Sequence, residues 1–165
     1  MKKHTLAVLV ENRPGVLTHI SGLISRRAFN IESIAAGYTE EADTTRITII
    51  VEADVIELEQ VVNQLSKLID VIKIIDLTGT DLIHRELALI KVKASSETRS
   101  DIVDVVHIFR ARIVDVNPET MVIELSGEER KIDALCQMLN NHGIIEIVRT
   151  GKIALSRGPV PAKDC

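Results

Sequence analysis

The chain has 165 residues, 45% of them apolar, with 20 basic and 24 acidic side chains and a formal net charge of -4. That length suits one domain of ordinary size or two small ones with a real core, and neither a basic stripe nor an aromatic platform points to nucleic acid. Two cysteines cannot build a disulfide framework or a zinc site, and no uncharged run approaches the ~18 residues that a membrane helix needs.

The first element is a strand at about Thr5–Val10. The apolar run then stops at Asn12-Arg13-Pro14-Gly15 and becomes a helix, about Gly15–Arg27, with Val16, Ile20, Leu23 and Ile24 on one face. Proline suits a first helical turn because it has no N–H to lose and its φ is already helical. A helix start offers free N–H groups and a positive dipole end, and Gly15 lets a ligand approach the backbone. Asn12 both donates and accepts beside it. The corner suits a small carboxylate; an ordinary capped turn would read the same way.

A strand at Ile31–Tyr38, an acidic turn at Glu40–Asp43 and a strand at Arg46–Glu52 follow. Asp54 and Glu57 form a capping box for a helix burying Leu58, Val61, Val62, Leu65 and Ile69. A strand at Val71–Leu77 completes the first half, and Thr78-Gly79-Thr80-Asp81 marks a boundary. The same order then returns: strand Leu87–Lys93, helix Thr98–Arg110, strands Ile113–Val116 and Met121–Leu125, a helix opened by Ser126 with Glu129, and a last strand within Ile144–Leu155. Cys136 shares the apolar side of that helix with Ile132, Leu135 and Leu139, whereas Cys165 ends a loose tail from about Ser156.

The pattern is α+β: two ferredoxin-like βαββαβ domains in tandem, each an antiparallel sheet with helices on one face. The opposite face must be solvated or meet a partner, and Ala7, Leu9, Ile34 and Ile50 place apolar residues beyond one core face. The Asn-x-Pro-Gly corner has no copy in the second half, where Ala94-Ser95-Ser96-Glu97 stands instead. Five scattered histidines show no HExxH spacing, and neither GxSxG nor GxGxxG occurs. Catalysis by this chain alone, and a metal site, are therefore not expected.

Six ordered segments resemble the small, regulatory subunit of acetolactate synthase (acetohydroxyacid synthase). They are Glu11-Asn12-Arg13-Pro14-Gly15-Val16-Leu17, Asn30-Ile31-Glu32-Ser33-Ile34, Thr45-Arg46-Ile47-Thr48, Arg85-Glu86-Leu87-Ala88-Leu89-Ile90-Lys91-Val92, Ile108-Phe109-Arg110-Ala111-Arg112-Ile113-Val114-Asp115-Val116, and Arg149-Thr150-Gly151 with Leu155-Ser156-Arg157-Gly158. Ala28 and Ala111 depart from the family's usual glycines.

The resemblance implies an N-terminal ACT domain, residues 1–78, that binds a branched-chain amino acid, usually valine, as feedback inhibitor. It implies a C-terminal domain, residues 79–165, that helps to bind and activate a separate catalytic subunit. That subunit makes acetolactate or acetohydroxybutyrate for isoleucine, valine and leucine biosynthesis, and holds thiamine diphosphate, Mg²⁺ and FAD; no cofactor is expected in this chain. The expected form is a cytoplasmic homodimer paired through its ACT domains, without nucleic acid or membrane partners. The expected effector residues are Asn12, Gly15, Val16 and Leu17, with Asn30 and Ile31 from the neighbouring chain, and Ala35, Ala36 and Gly37 leaving room for a branched side chain. The alternatives are an ACT-type regulator of another enzyme or of transcription, and a small acylphosphatase-like enzyme.

Overall fold

Alternating Val and Ile residues carry the first sheet, described by a computed structural model for residues 2–26 and 30–159. Its strands are β1 (Lys2–Glu11), β2 (Asn30–Tyr38), β3 (Thr44–Ala53) and β4 (Val71–Asp76), with α1 (Val16–Arg26) and α2 (Val55–Leu65) between them. The order is β2-β3-β1-β4, all antiparallel. Leu6 and Val8 of β1 and Ile47 and Ile49 of β3 meet Ile20 and Ile24 of α1 and Val61 and Leu65 of α2. Each such side chain contributes about 1.5–3 kcal/mol of burial. The Asp54–Glu57 capping box forms in both directions, at 2.9 and 2.8 Å. Ile69 belongs to no helix and is exposed, because α2 ends at Leu65.

His4 lies on the helix-facing side of β1 and is only 6% exposed, yet neither ring nitrogen has a hydrogen-bond partner. An unsatisfied buried polar group costs about 1–3 kcal/mol. His4→Leu is therefore expected to stabilise the first unit by about 1–2 kcal/mol, read as a higher urea midpoint; an unchanged or lower midpoint would contradict this account.

The second sheet repeats the plan. It contains β5 (Leu82–Lys93), β6 (Arg112–Val116), β7 (Thr120–Gly127) and β8 (Ile144–Arg149), with α3 (Arg99–Ile108) and α4 (Glu129–Asn140). The order β6-β7-β5-β8 matches the first sheet element for element. Ala88, Ile90 and Val92 of β5 pack with Ile102 of α3 and with Ile132 and Leu135 of α4. Cys136 is partly buried against this core, and burial pushes its thiol pKa up. The expected Ser126–Glu129 capping box does not form. Ser126 lies inside β7 opposite Leu87, and Glu128 takes the cap position without a side-chain bond.

α3 closes with Arg110 at φ 51°, where Ala111 N–H reaches Val106 O at 2.9 Å and Arg110 N–H reaches His107 O at 3.0 Å. The left-handed residue is thus Arg110, and Ala111 needs no glycine. A non-glycine residue in that region costs roughly 1–2 kcal/mol, so Arg110→Gly is expected to stabilise the second unit by about 1 kcal/mol, measurable by denaturant unfolding. Ala28 and Cys165 lie outside the described residues.

The chain divides into two compact units differently from the expected boundary after residue 78. Among the described residues, those up to Ile83 and those from Lys152 form one unit, and His84–Gly151 the other. β9 (Ile153–Ser156) pairs with β5, which begins in the first unit. Residues 156–159 were expected as part of a loose tail, but Arg157 is tied to Asp81 through both its backbone N–H (2.9 Å) and its side chain (3.1 Å). Ala154 packs with Ala7, Ile75 and Leu77, and Leu9 and Leu82 border that cluster. The face of the first sheet turned away from its helices is therefore partly covered by the chain's own later segment, and both Ala7 and Ile50 are buried.

Candidate functional site

The corner after β1 is built by bonds to the β2–β3 turn. Asn12 N–H donates to Asp43 O at 2.8 Å, and Thr45 Oγ donates to Asn12 Oδ1 at 3.2 Å. Asn12 is exposed, with its amide oxygen held by that hydroxyl. Arg13 folds back onto Glu11, with N–H to carbonyl at 2.9 Å and guanidinium to carboxylate at 3.0 Å. The chain turns at Pro14 and Gly15, and Gly15 adopts φ +90°. α1 starts one residue later than expected, at Val16, so Pro14 precedes the helix, and glycine is needed at 15 for its backbone conformation. The position that a Cβ would take at Gly15 is open space.

Val16 points into the core, but Leu17 is 50% exposed. Among the described residues, the N–H groups of Gly15, Val16 and Leu17 make no hydrogen bond. These donors, the positive end of the helix dipole and the exposed Asn12 lie together at one corner of the chain, a combination suited to an anionic oxygen. Behind it, the Asp70 carboxylate accepts from His19 Nδ1 at 3.0 Å, and the Asp70 carbonyl accepts from Glu11 N–H at 2.9 Å. Thr45, Asp43 and Asp70 position the corner; local spacing carries no signal for them, because each reaches it from another strand or turn.

The other expected site residues lie on β2, an edge strand bonded only to β3. Gly37 pairs with Arg46 and Tyr38 with Thr45, at the same end of the sheet as the corner. Ala35 and Ala36 follow the strand inward, and Gly37 has open space where a Cβ would stand. Asn30 and Ile31 pair with Glu52 and Val51, at the opposite end. That is roughly 23 Å from Gly37 at ~3.3 Å per residue. One chain thus brings Asn12, Gly15, Val16 and Leu17 together with Ala35, Ala36 and Gly37 at one end, and keeps Asn30 and Ile31 away.

The corresponding corner of the second unit is closed on itself. Ser95 N–H bonds to Thr98 Oγ at 3.1 Å, and Thr98 N–H to Ser95 Oγ at 3.3 Å. Its turn donors are consumed by its own hydroxyls, so the two halves share topology without sharing a site. Among the described residues, no group of three or more His, Cys, Asp or Glu side chains is placed to hold a metal ion, and no helix is long and apolar enough to cross a membrane.

Residues 6–73 match the AHAS small subunit-like ACT domain, and residues 85–158 match the family described as the small subunit of acetolactate synthase. A probable acetolactate synthase small subunit from Archaeoglobus fulgidus is 51% identical over 94% of this chain and 98% of its own length. The acetolactate synthase small subunit of Mycobacterium leprae is also 51% identical, over 94% of this chain and 92% of its own length. The crystal structure of the acetolactate synthase small subunit from Thermotoga maritima is similar at a TM-score of 0.90 and 36% identity, covering 97% of this chain and 100% of that one. With an ACT domain followed by a second ferredoxin-like domain, the chain belongs to the family of acetolactate synthase small subunits.

Proposed function

We propose that this regulatory subunit binds valine, or another branched-chain amino acid, at the Asn12–Leu17 corner and sets the activity of a separate catalytic subunit. The reading rests chiefly on how the candidate residues are split along β2. Antiparallel pairing of two β2 edges about a dyad at Ile34 would bring the partner's Asn30 and the partner's Ile31 beside Gly37 and Tyr38. The corner would then gain the residues that one chain holds at its far end. The ligand carboxylate takes the N–H groups of Gly15 and Val16, and Asn12 orients its polar end. The branched side chain lies over Ala35, Ala36 and Gly37, with Leu17 as part of the wall.

In this reading the second unit contributes to binding and activating the catalytic subunit, which carries thiamine diphosphate, Mg²⁺ and FAD in the cytoplasm. Feedback inhibition requires the effector to favour the dimer arrangement that activates poorly. The catalytic subunit should reciprocally change effector affinity, by about 5- to 150-fold for typical coupling. The test is the activity of a reconstituted complex titrated separately with valine, leucine and isoleucine. Activation by the chain and inhibition by at least one of the three are expected; a catalytic subunit indifferent to the chain would end the proposal.

A further inference from the structure

The segment Lys152–Arg157 crosses the outer face of the first sheet and is anchored at three points, two of them on that sheet and one at Asp81. Lys152 N–H donates to Ser33 Oγ at 3.0 Å, at the irregular step of β2 between Ile31 and Ser33. Arg46 of β3 donates through Nη2 to Ala154 O at 2.7 Å. Arg157 closes the far end on Asp81. At the second anchor, Ala154 itself is 6% exposed against Ala7, Ile75 and Leu77. Burial pushes the Arg46 guanidinium below its ordinary pKa, partly offset by Glu40. The Ala154 carbonyl is thus a replacement for water that Arg46 has lost, and the contact resists being opened.

The position of these anchors matters because β2 is an edge strand. With only one hydrogen-bonded neighbour, it can shift at lower cost than the inner strands when its free edge is occupied. Ser33 lies between Asn30–Ile31 and Ala35–Gly37, so the segment grips β2 between the two groups of proposed effector residues without using either. Arg46 is the β3 partner of Gly37. The gripped segment is also continuous in sequence with Gly151, the last residue of the second unit, which turns at φ +78°.

We infer that Lys152–Arg157 is a coupling strap, through which effector occupancy at β2 is passed by Ser33 and Arg46 to the chain leaving the second unit at Gly151. The inference rests on the valine-binding reading above and extends it to the route of the response. It also gives the C-terminal signature Leu155-Ser156-Arg157-Gly158 a role outside the effector corner.

The experiment compares the full-length wild type with Ser33→Ala and, separately, Arg46→Met. Valine binding to the free chain is measured by calorimetry, and inhibition is measured in the complex reconstituted with the catalytic subunit. Both variants are expected to bind valine within about 3-fold of wild type, whereas residual activity at saturating valine rises about 5-fold or more, the lower end of the usual coupling range. Wild-type inhibition in both variants, with wild-type binding, overturns the strap alone. Binding and inhibition lost in parallel also overturn it, because that marks damage to the site rather than to transmission. A wild-type chain that binds no valine overturns the effector reading and the strap together.

Discussion

Replacing Asn12 by alanine is expected to weaken valine binding by roughly 10- to 150-fold, the equivalent of one hydrogen bond to a charged group at about 1.5–3 kcal/mol. Asn12 reaches the corner with its amide oxygen already held by Thr45 at 3.2 Å, so its NH₂ group is oriented before a ligand arrives. The backbone bond from Asn12 N–H to Asp43 O is indifferent to the side chain. The residue is exposed, so stability should change by only about 1 kcal/mol or less. Thr45→Val leaves Asn12 in place but removes its orienting hydroxyl, and should weaken binding by about 3- to 10-fold, less than the loss of a bond to the ligand itself. Calorimetry on the two variants checks both values. Wild-type affinity in Asn12→Ala would remove Asn12 from the site, and equal losses in the two variants would show that Asn12 acts only through its placement.

Arg149→Leu is expected to destabilise the second unit by about 3 kcal/mol, the lower end of the cost of breaking a buried ion pair. The pair is one-sided. Arg149 Nε donates to Glu86, whose side chain is only 4% exposed, while Arg149 itself is about one-third exposed and also holds Asp133 at 2.9 Å. The Glu86 hydrogen bond is the main reason that the guanidinium pKa is raised. Removing the arginine leaves a buried carboxylate without its cation, and solvent reaching position 149 places the loss at the low end of the range. Alongside it, Leu87 and Thr150 exchange backbone N–H bonds, from Thr150 N–H to Leu87 O and from Leu87 N–H to Thr150 Oγ, each at 3.0 Å. The Arg-Glu-Leu and Arg-Thr-Gly segments are therefore two sides of one closure of β5 on β8. Denaturant unfolding should show the loss in one of two transitions. The double substitution Glu86→Leu/Arg149→Met should recover stability to within about 1 kcal/mol of wild type, since an apolar pair removes the stranded charge. A loss below ~1 kcal/mol in Arg149→Leu would place the pair with solvent-screened surface bridges.

Periodicity and turn chemistry were sufficient for the type and order of the strands and helices in the two βαββαβ units, though not for their ends, because those signals act within four residues. Asp54 and Glu57 close their capping box as their spacing predicts. The same rule failed at Ser126 and Glu129, where pairing with β5 carries β7 on to Gly127 and leaves Ser126 facing Leu87 rather than a helix start. Of the candidate site, the residue types at the Asn12–Leu17 corner were legible. The reason Gly15 is glycine was not: it serves a positive φ before a helix that begins at Val16.

By itself the sequence determined the fold class, the repeated element order, the difference between the two corners and the family resemblance. These follow from local alternation, turn residues and ordered motifs. Only the tertiary structure decided that Asn30 and Ile31 stand at the far end of the sheet from Asn12, because antiparallel register places residues by pairing and not by distance along the chain. It also decided that Lys152–Arg157 returns to the first unit. Ser33 meets Lys152 across 119 residues, and Arg46 meets Ala154 across 108. A hydrogen bond closed over such a span leaves no periodic trace in either segment; it exists only once two sheets have folded and one has an uncovered face.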